Sequence, residues 1–346
     1  MEQGNGAFPD LAKANGEQTE APGQGQGWEM VHPWALTQGK GRAGSILTFE
    51  GKNWCYASQQ CKVPDCKEPR LWAKLYSECG SNKQSPVNIL TRQVKYNDSL
   101  KAFKFINYDV KSDRKWSMEN NGHTVVVQLD QSAKVEHGGL NGRYKAAQFH
   151  FHWGSEMGKT QSPGSEHSID GERYPMELHI VHIKEEFSST ASAIKGKGVA
   201  VLGFFIKAGK KNTKYEPLIS NLEEIGAAGQ KVEIPALALE SLIPDKKDLT
   251  SFYRYTGSLT TPACSEEVVW TLFEKPIELE WEQIEEFWKK VYFDSGKTLP
   301  MVDNFRPVQP LGARTVEKSN SNLLLPPRNL LLLVPTAAVL ASAWIS

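Results

Sequence analysis

Gln148-Phe149-His150-Phe151-His152-Trp153 alternates polar and aromatic side chains, and a period of two is the mark of a β-strand. His150 and His152 therefore share one face, while Phe149, Phe151 and Trp153 point the other way into a packed core. Two imidazoles standing together on a rigid support suit a metal ion. Further on, Glu177-Leu178-His179-Ile180-Val181-His182 repeats the pattern and puts Glu177, His179 and Val181 on one face. Nitrogens from His150, His152 and His179 would fill three positions around a tetrahedral zinc and leave the fourth open, as catalytic zinc sites do. Gln148 and Glu177 each precede a ligand by two residues on the same face. An amide or carboxylate there can accept the second ring N–H and fix the tautomer. A His-x-His pair alone is weak evidence, because such pairs also sit on surfaces and in satisfied cores.

The elements that must position these residues are short alternating runs at 124–129, 146–153, 176–183, 199–206 and 268–273, separated by Gly and Pro. They predict a large, mostly antiparallel sheet. Helical spacing joins Tyr215, Leu218, Ile219, Leu222 and Ile225 ahead of Gly226, and again Ile284, Phe287, Trp288 and Val291; both stretches predict amphipathic helices covering the sheet. No internal repeat is visible. The fold class is β-dominated α+β.

With 346 residues and 40% hydrophobic content, the chain can bury one large core or two modest ones. Forty basic against 40 acidic residues give zero formal charge, which argues against nucleic acid as the main partner. Residues 1–50 are rich in Gly, Gln, Glu and Ala without apolar periodicity. They read as a disordered leader in which no apolar signal core is recognisable. At the other end no charge follows Arg328, and Leu330 to Val334 and Ala337 to Ala341 are apolar. Small residues at Ser319-Asn320-Ser321, a spacer to Arg328 and an uncharged tail have the layout of a GPI-attachment signal over 319–346. A spanning helix would need about 20 apolar residues and charges to hold it. Five cysteines fit an oxidising compartment if they pair.

Segments spread over residues 54–318 resemble the α-class carbonic anhydrases, and they do so in order. They are Gln84-Ser85-Pro86-Val87-Asn88-Ile89, Asn120-Asn121-Gly122-His123, the run from Gln148 to Gly154, Gly164-Ser165-Glu166-His167, the run from Glu177 to His182, Ser258-Leu259-Thr260-Thr261-Pro262 and Asn304-Phe305-Arg306-Pro307. Trp54-Cys55-Tyr56, Cys79, Thr261-Pro262-Ala263-Cys264 and the apolar C-terminus look most like the membrane-anchored type IV branch.

The resemblance implies a single catalytic domain, 51–318, around a twisted sheet of about ten strands with small surface helices. It implies reversible hydration of carbon dioxide to bicarbonate by zinc-activated water, whose pKa carbonic anhydrases are known to lower to about 7. His150, His152 and His179 hold the zinc, with Gln148 and Glu177 behind them and a backbone carbonyl behind the remaining histidine. Thr260 accepts a hydrogen bond from the attacking hydroxide and donates its own to Glu166. Val181, Val201, Leu259, Val268 and Trp270, with Thr260 and Thr261, line the carbon dioxide site. His123 shuttles the proton through water held by Tyr56 and Asn121. Cys79 pairs with Cys264, and Cys55 with Cys66 in preference to Cys61. Primary sulfonamides inhibit, and a GPI anchor at Ser319 holds the enzyme on the extracellular face of the plasma membrane. His137, His167 and His182 receive no catalytic role, and the last two read as structural. Oligomeric state is not indicated.

Two other classes compete. A catalytically silent carbonic-anhydrase-like binding or adhesion domain would have lost a zinc histidine, whereas all three stand here with Glu166, Thr260 and His123. A zinc peptidase would carry His-Glu-x-x-His on a helix, and this chain has no such motif.

Overall fold

The computed structural model describes residues 53–59, 65–157, 160–161 and 163–320. The leader over 1–50, Cys61 and the tail beyond 320 lie outside them. Twelve strands form one sheet: β1 (Lys95–Asn97), β2 (Phe103–Ile106), β3 (Lys115–Asn120), β4 (Val125–Gln128), β5 (Lys134–His137), β6 (Tyr144–Trp153), β7 (Met176–Lys184), β8 (Val199–Ala208), β9 (Lys231–Pro235), β10 (Phe252–Ser258), β11 (Glu266–Leu279) and β12 (Glu317–Ser319). Ten of them follow the path β9-β3-β4-β6-β7-β8-β11-β10-β12-β1, while β5 pairs with β6 and β2 with β5. Pairing is antiparallel except between β8 and β11 and between β12 and β1. The β-dominated class and the largely antiparallel sheet agree with the sequence reading.

Alternation explains how the sheet holds its register. Phe149, Phe151 and Trp153 of β6 pack with Leu178 and Ile180 of β7 and Leu202 and Phe204 of β8 in the main core. A slip of one residue would expose those three aromatic side chains, each worth roughly 1.5–3 kcal/mol when buried. The core thus fixes which way the histidines face. On the opposite face Val181, Val201, Val268 and Trp270 form a second apolar cluster, with Leu259 packed against it.

The helices are few and short. Trp281–Lys290 forms as predicted, starts at a Glu280/Gln283 capping box and buries Ile284, Phe287 and Trp288. The other stretch differs. A 3-10 turn at Thr213–Tyr215 and a single α-turn at Glu216–Ile219 replace a continuous helix to Ile225. Asn221 Nδ2 donates to Pro217 O at 2.8 Å, the carbonyl that a continuing helix would offer to the Asn221 N–H, and that N–H turns to Leu218 O at 3.2 Å instead. Tyr215, Leu218, Ile219, Leu222 and Ile225 are all buried nonetheless, and burial, not helix continuity, is what their spacing encoded. No helix among the described residues is long and apolar enough to cross a membrane.

Two disulfides staple the domain. Cys55 pairs with Cys66 and Cys79 with Cys264. The second closes 185 residues of chain, for which loop-closure entropy alone gives about 5 kcal/mol as an upper figure. Ser319 ends β12: it is buried, its Oγ donates to Thr250 O at 2.8 Å, and the Phe252 N–H donates to it at 2.9 Å.

Candidate metal centre

Strand pairing brings the three histidines together. His150 of β6 lies opposite His179 of β7, and His152 lies opposite Glu177. On the far side His179 faces Gly203 of β8. A Cβ at Gly203 would stand 2.5 Å from Leu272 Cδ1, so glycine at this register position makes room for the Leu272 side chain.

Each ring has one nitrogen engaged away from the cluster. His150 Nδ1 donates to Gln148 Oε1 at 3.0 Å, His179 Nε2 to Glu177 Oε1 at 2.6 Å, and His152 Nδ1 to the Asn304 carbonyl at 2.8 Å. Every one of those acceptors is an oxygen, so the proton sits on that nitrogen and the other carries a lone pair. The three lone-pair nitrogens converge: His150 Nε2 and His179 Nδ1 are 3.3 Å apart, and the donor atoms of all three residues lie within 4.8 Å of one another. His152 Nε2 has no hydrogen-bond partner, nor has Glu166 Oε2, 3.4 Å from it. Acceptors facing acceptors without a proton between them repel. A cation relieves that repulsion, and two nitrogens each about 2.0–2.1 Å from one tetrahedral ion stand roughly 3.3–3.4 Å apart. The donor set fits zinc.

Electrostatics agree. Burial, then the neighbouring His152 and His179, hold His150 well below the usual imidazole pKa. His152 is also lowered, chiefly by burial. Neutral rings are the ones that ligate. Burial would raise the Glu177 carboxyl, but the imidazoles of His167 and His179 outweigh it and hold Glu177 well below the usual carboxylate range.

A second group, His167, Glu177 and His179, also lies close enough to hold a metal. Its atoms are already matched donor to acceptor: Glu177 accepts from His179 Nε2, from His167 Nδ1 at 2.7 Å and from the His167 backbone N–H at 2.9 Å. No ion is needed there. His167 passes the chain on, since its Nε2 lies 2.7 Å from Tyr255 Oη, which lies 2.7 Å from Ser85 Oγ. His182, fully buried, bonds Tyr108 and the Ile180 carbonyl on the core side, and His137 is exposed at the end of β5.

Beside the histidines stands an apolar wall. Val181, Val201 and Trp270 are register neighbours across β7, β8 and β11, and the Trp270 ring centroid is 4.8 Å from that of His179. Val268, two residues before Trp270, and Leu259 join the same cluster. Thr260 is buried near the start of the loop that follows β10. That loop is tied down by the Cys79–Cys264 bridge, by Leu259 N–H donating to Ser265 O and by Cys264 N–H donating to Thr261 O. One expectation fails: Thr260 does not donate to Glu166. Glu166 Oε1 accepts the Arg306 backbone N–H at 2.8 Å, and Oε2 turns toward His152 Nε2 and His179 Nδ1, at 3.4 and 4.0 Å.

A family model for the eukaryotic-type carbonic anhydrases matches residues 67–320. The chain belongs to that family. Carbonic anhydrase 4 of Oryctolagus cuniculus is 42% identical over 295 residues, 84% of this chain and 92% of the relative. That of Rattus norvegicus is 40% identical over 303 residues, covering 86% and 94%. Carbonic anhydrase 12 of Homo sapiens is 33% identical over 290 residues, covering 82% and 78%.

In this carbonic anhydrase, His123 sits in a tight loop between β3 and β4. Gly122 at φ 82° makes the turn, and the Asn121 side-chain oxygen accepts the His123 and Thr124 N–H groups, both at 2.9 Å. Asn121 thus shapes the loop through its carboxamide. The His123 ring stacks on Trp54, centroids 3.8 Å apart and planes 12° off parallel, with the Tyr56 ring edge-on at 6.3 Å. Tyr56 itself is fully buried.

Sequence reasoning gave no role to Asn304, Arg306, Tyr255 or Trp54. Asn304 joins two parts of the site: its carbonyl holds His152, and its Nδ2 donates to His123 O at 3.1 Å. The Arg306 guanidinium ties Gln84, Ser85 O and Cys79 O together while its backbone holds Glu166. Both lie in an irregular segment where no periodicity marks a buried face. Only their place in the Asn304-Phe305-Arg306-Pro307 motif pointed to them.

Proposed function

We propose that the chain hydrates carbon dioxide reversibly to bicarbonate and a proton, with zinc held by His150 Nε2, His152 Nε2 and His179 Nδ1. The observation that carries this reading is three lone-pair nitrogens converging beside an apolar wall. Zinc bound there supplies a Lewis acid that brings water to its nucleophilic form near neutral pH, as carbonic anhydrases are known to do. Gln148, Glu177 and the Asn304 carbonyl fix the three tautomers. Val181, Val201, Leu259, Val268 and Trp270 accommodate a substrate without a dipole, which gains little from polar contacts. His123 carries the released proton to buffer, with Tyr56 and Asn121 bordering its path. The partly exposed His150 marks the side from which solvent reaches the cluster. A silent binding domain would not need three tautomers fixed and aimed at one point.

Thr260 positions the attacking group and, with Thr261, borders the substrate. A Thr260→Val variant keeps the shape and loses the hydroxyl. Turnover is expected to fall by about 10²-fold, and a primary sulfonamide, whose nitrogen takes the metal's open position, should bind more weakly in titration calorimetry. Equal sulfonamide affinity in wild type and variant would remove Thr260 from this role.

The proposed organisation is a leader over 1–50, the catalytic domain over 51–318 and a GPI-attachment signal over 319–346, with the enzyme on the outer face of the plasma membrane. Two disulfides and the uncharged tail after Arg328 support it. Attachment at Ser319 puts the anchor directly on the last residue of β12. For the full chain directed into the secretory pathway of animal cells, a phosphatidylinositol-specific phospholipase C is expected to release active enzyme from intact cells. Surface enzyme that resists release and retains its apolar tail would contradict the anchor.

A further inference from the structure

Asn97-Asp98-Ser99 is the single Asn-x-Ser/Thr triplet in the chain, and its place in the fold is specific. Asn97 ends β1, the terminal strand of the sheet path, so β1 pairs with β12 on one side and with no strand on the other among the described residues. Tyr96 on this edge is 68% exposed; Asp98 and Ser99 are exposed as well. An unprotected edge with an exposed aromatic residue invites pairing with a second chain.

We propose that Asn97, at the end of this terminal strand, is an N-glycosylation site, a proposal that rests on the secretory reading above. The side-chain chemistry permits it. Asn97 Oδ1 accepts the Ser99 N–H at 2.9 Å, and Nδ2 donates one hydrogen to Glu317 Oε1 at 3.0 Å. A primary amide nitrogen carries two hydrogens. In the transfer, Nδ2 attacks the anomeric carbon of a lipid-pyrophosphate-linked oligosaccharide, the carbon–oxygen bond to the pyrophosphate breaks, and Nδ2 gives up one proton. The N–H that remains still serves Glu317. Attachment therefore leaves both bonds of the folded residue intact and sets a bulky polar group beside β12, because Asn97 pairs in register with Ser319.

The test uses the full chain directed into the secretory pathway of animal cells. Treatment with a peptide N-glycosidase is expected to give one discrete loss of mass and to convert Asn97 to Asp in the matching peptide. Asn97→Gln and Ser99→Ala should each abolish the loss; the second leaves the Asn97–Glu317 bond in place and guards against misfolding of the first. A surface enzyme with both disulfides paired and an unmodified Asn97 peptide would overturn the proposal, as would a mass loss that survives both substitutions. Phospholipase release reports the anchor separately. A glycosylated chain that is not released defeats the anchor alone, and a released chain without glycan defeats this proposal alone.

Discussion

A His150→Ala chain is expected to lose zinc and carbon dioxide hydration together. The substitution removes one of three converging nitrogens and leaves Gln148 Oε1 without the ring it orients. Loss of a residue that merely orients a ligand costs about 10–100-fold in metal affinity, so loss of a ligand itself should exceed about 100-fold. The sheet should survive, because Phe149 and Phe151 on the other face are untouched and fully buried. Zinc content after gel filtration and stopped-flow hydration would be measured side by side. His137→Ala, which changes an exposed histidine that belongs to neither histidine group, serves as the control and should keep both. Stoichiometric zinc in the His150 variant would refute the ligand assignment.

His123→Ala should act on a different step. A histidine that carries the proton out after bicarbonate has formed limits turnover but not the encounter with carbon dioxide. In dilute buffer kcat is expected to fall by about 10²-fold, the low end for positioned acid–base groups, while kcat/KM stays near its original value. Added imidazole should restore much of the loss. The stacked Trp54 gives this prediction a structural companion, because a ring contact and the loop hold His123. Unchanged kcat in dilute buffer would show that protons leave by another route.

Alternation made the sheet and the histidine face legible in the sequence. Period-two runs located β6, β7, β8 and the core of β11, and the same period put His150, His152 and His179 on one face with Gln148 and Glu177 behind two of them. Registry across strands was not visible, because which residue of β7 faces His150 depends on pairing. Nor was Asn304. It reaches His152 and His123 from a segment without regular structure, 152 and 181 residues away in sequence, and local patterns carry no information at that range. The stretch from Tyr215 to Ile225 failed for a related reason: helical spacing reported burial correctly, while the Asn221 side chain takes Pro217 O and its N–H turns to Leu218 O, where the helix stops. The missing Thr260–Glu166 bond is of the same kind, since the two residues lie in separate segments and Glu166 Oε1 meets the Arg306 N–H from a third.

Two groups among the described residues lie close enough to hold a metal, and they share His179. Anomalous diffraction at the zinc absorption edge, from crystals of the zinc-loaded chain, tests the central claim most directly. One peak is expected, enclosed by His150 Nε2, His152 Nε2 and His179 Nδ1, with Glu177 still accepting from His167 and His179. A peak against Glu177 and His167, or no peak at the three converging nitrogens, would contradict it.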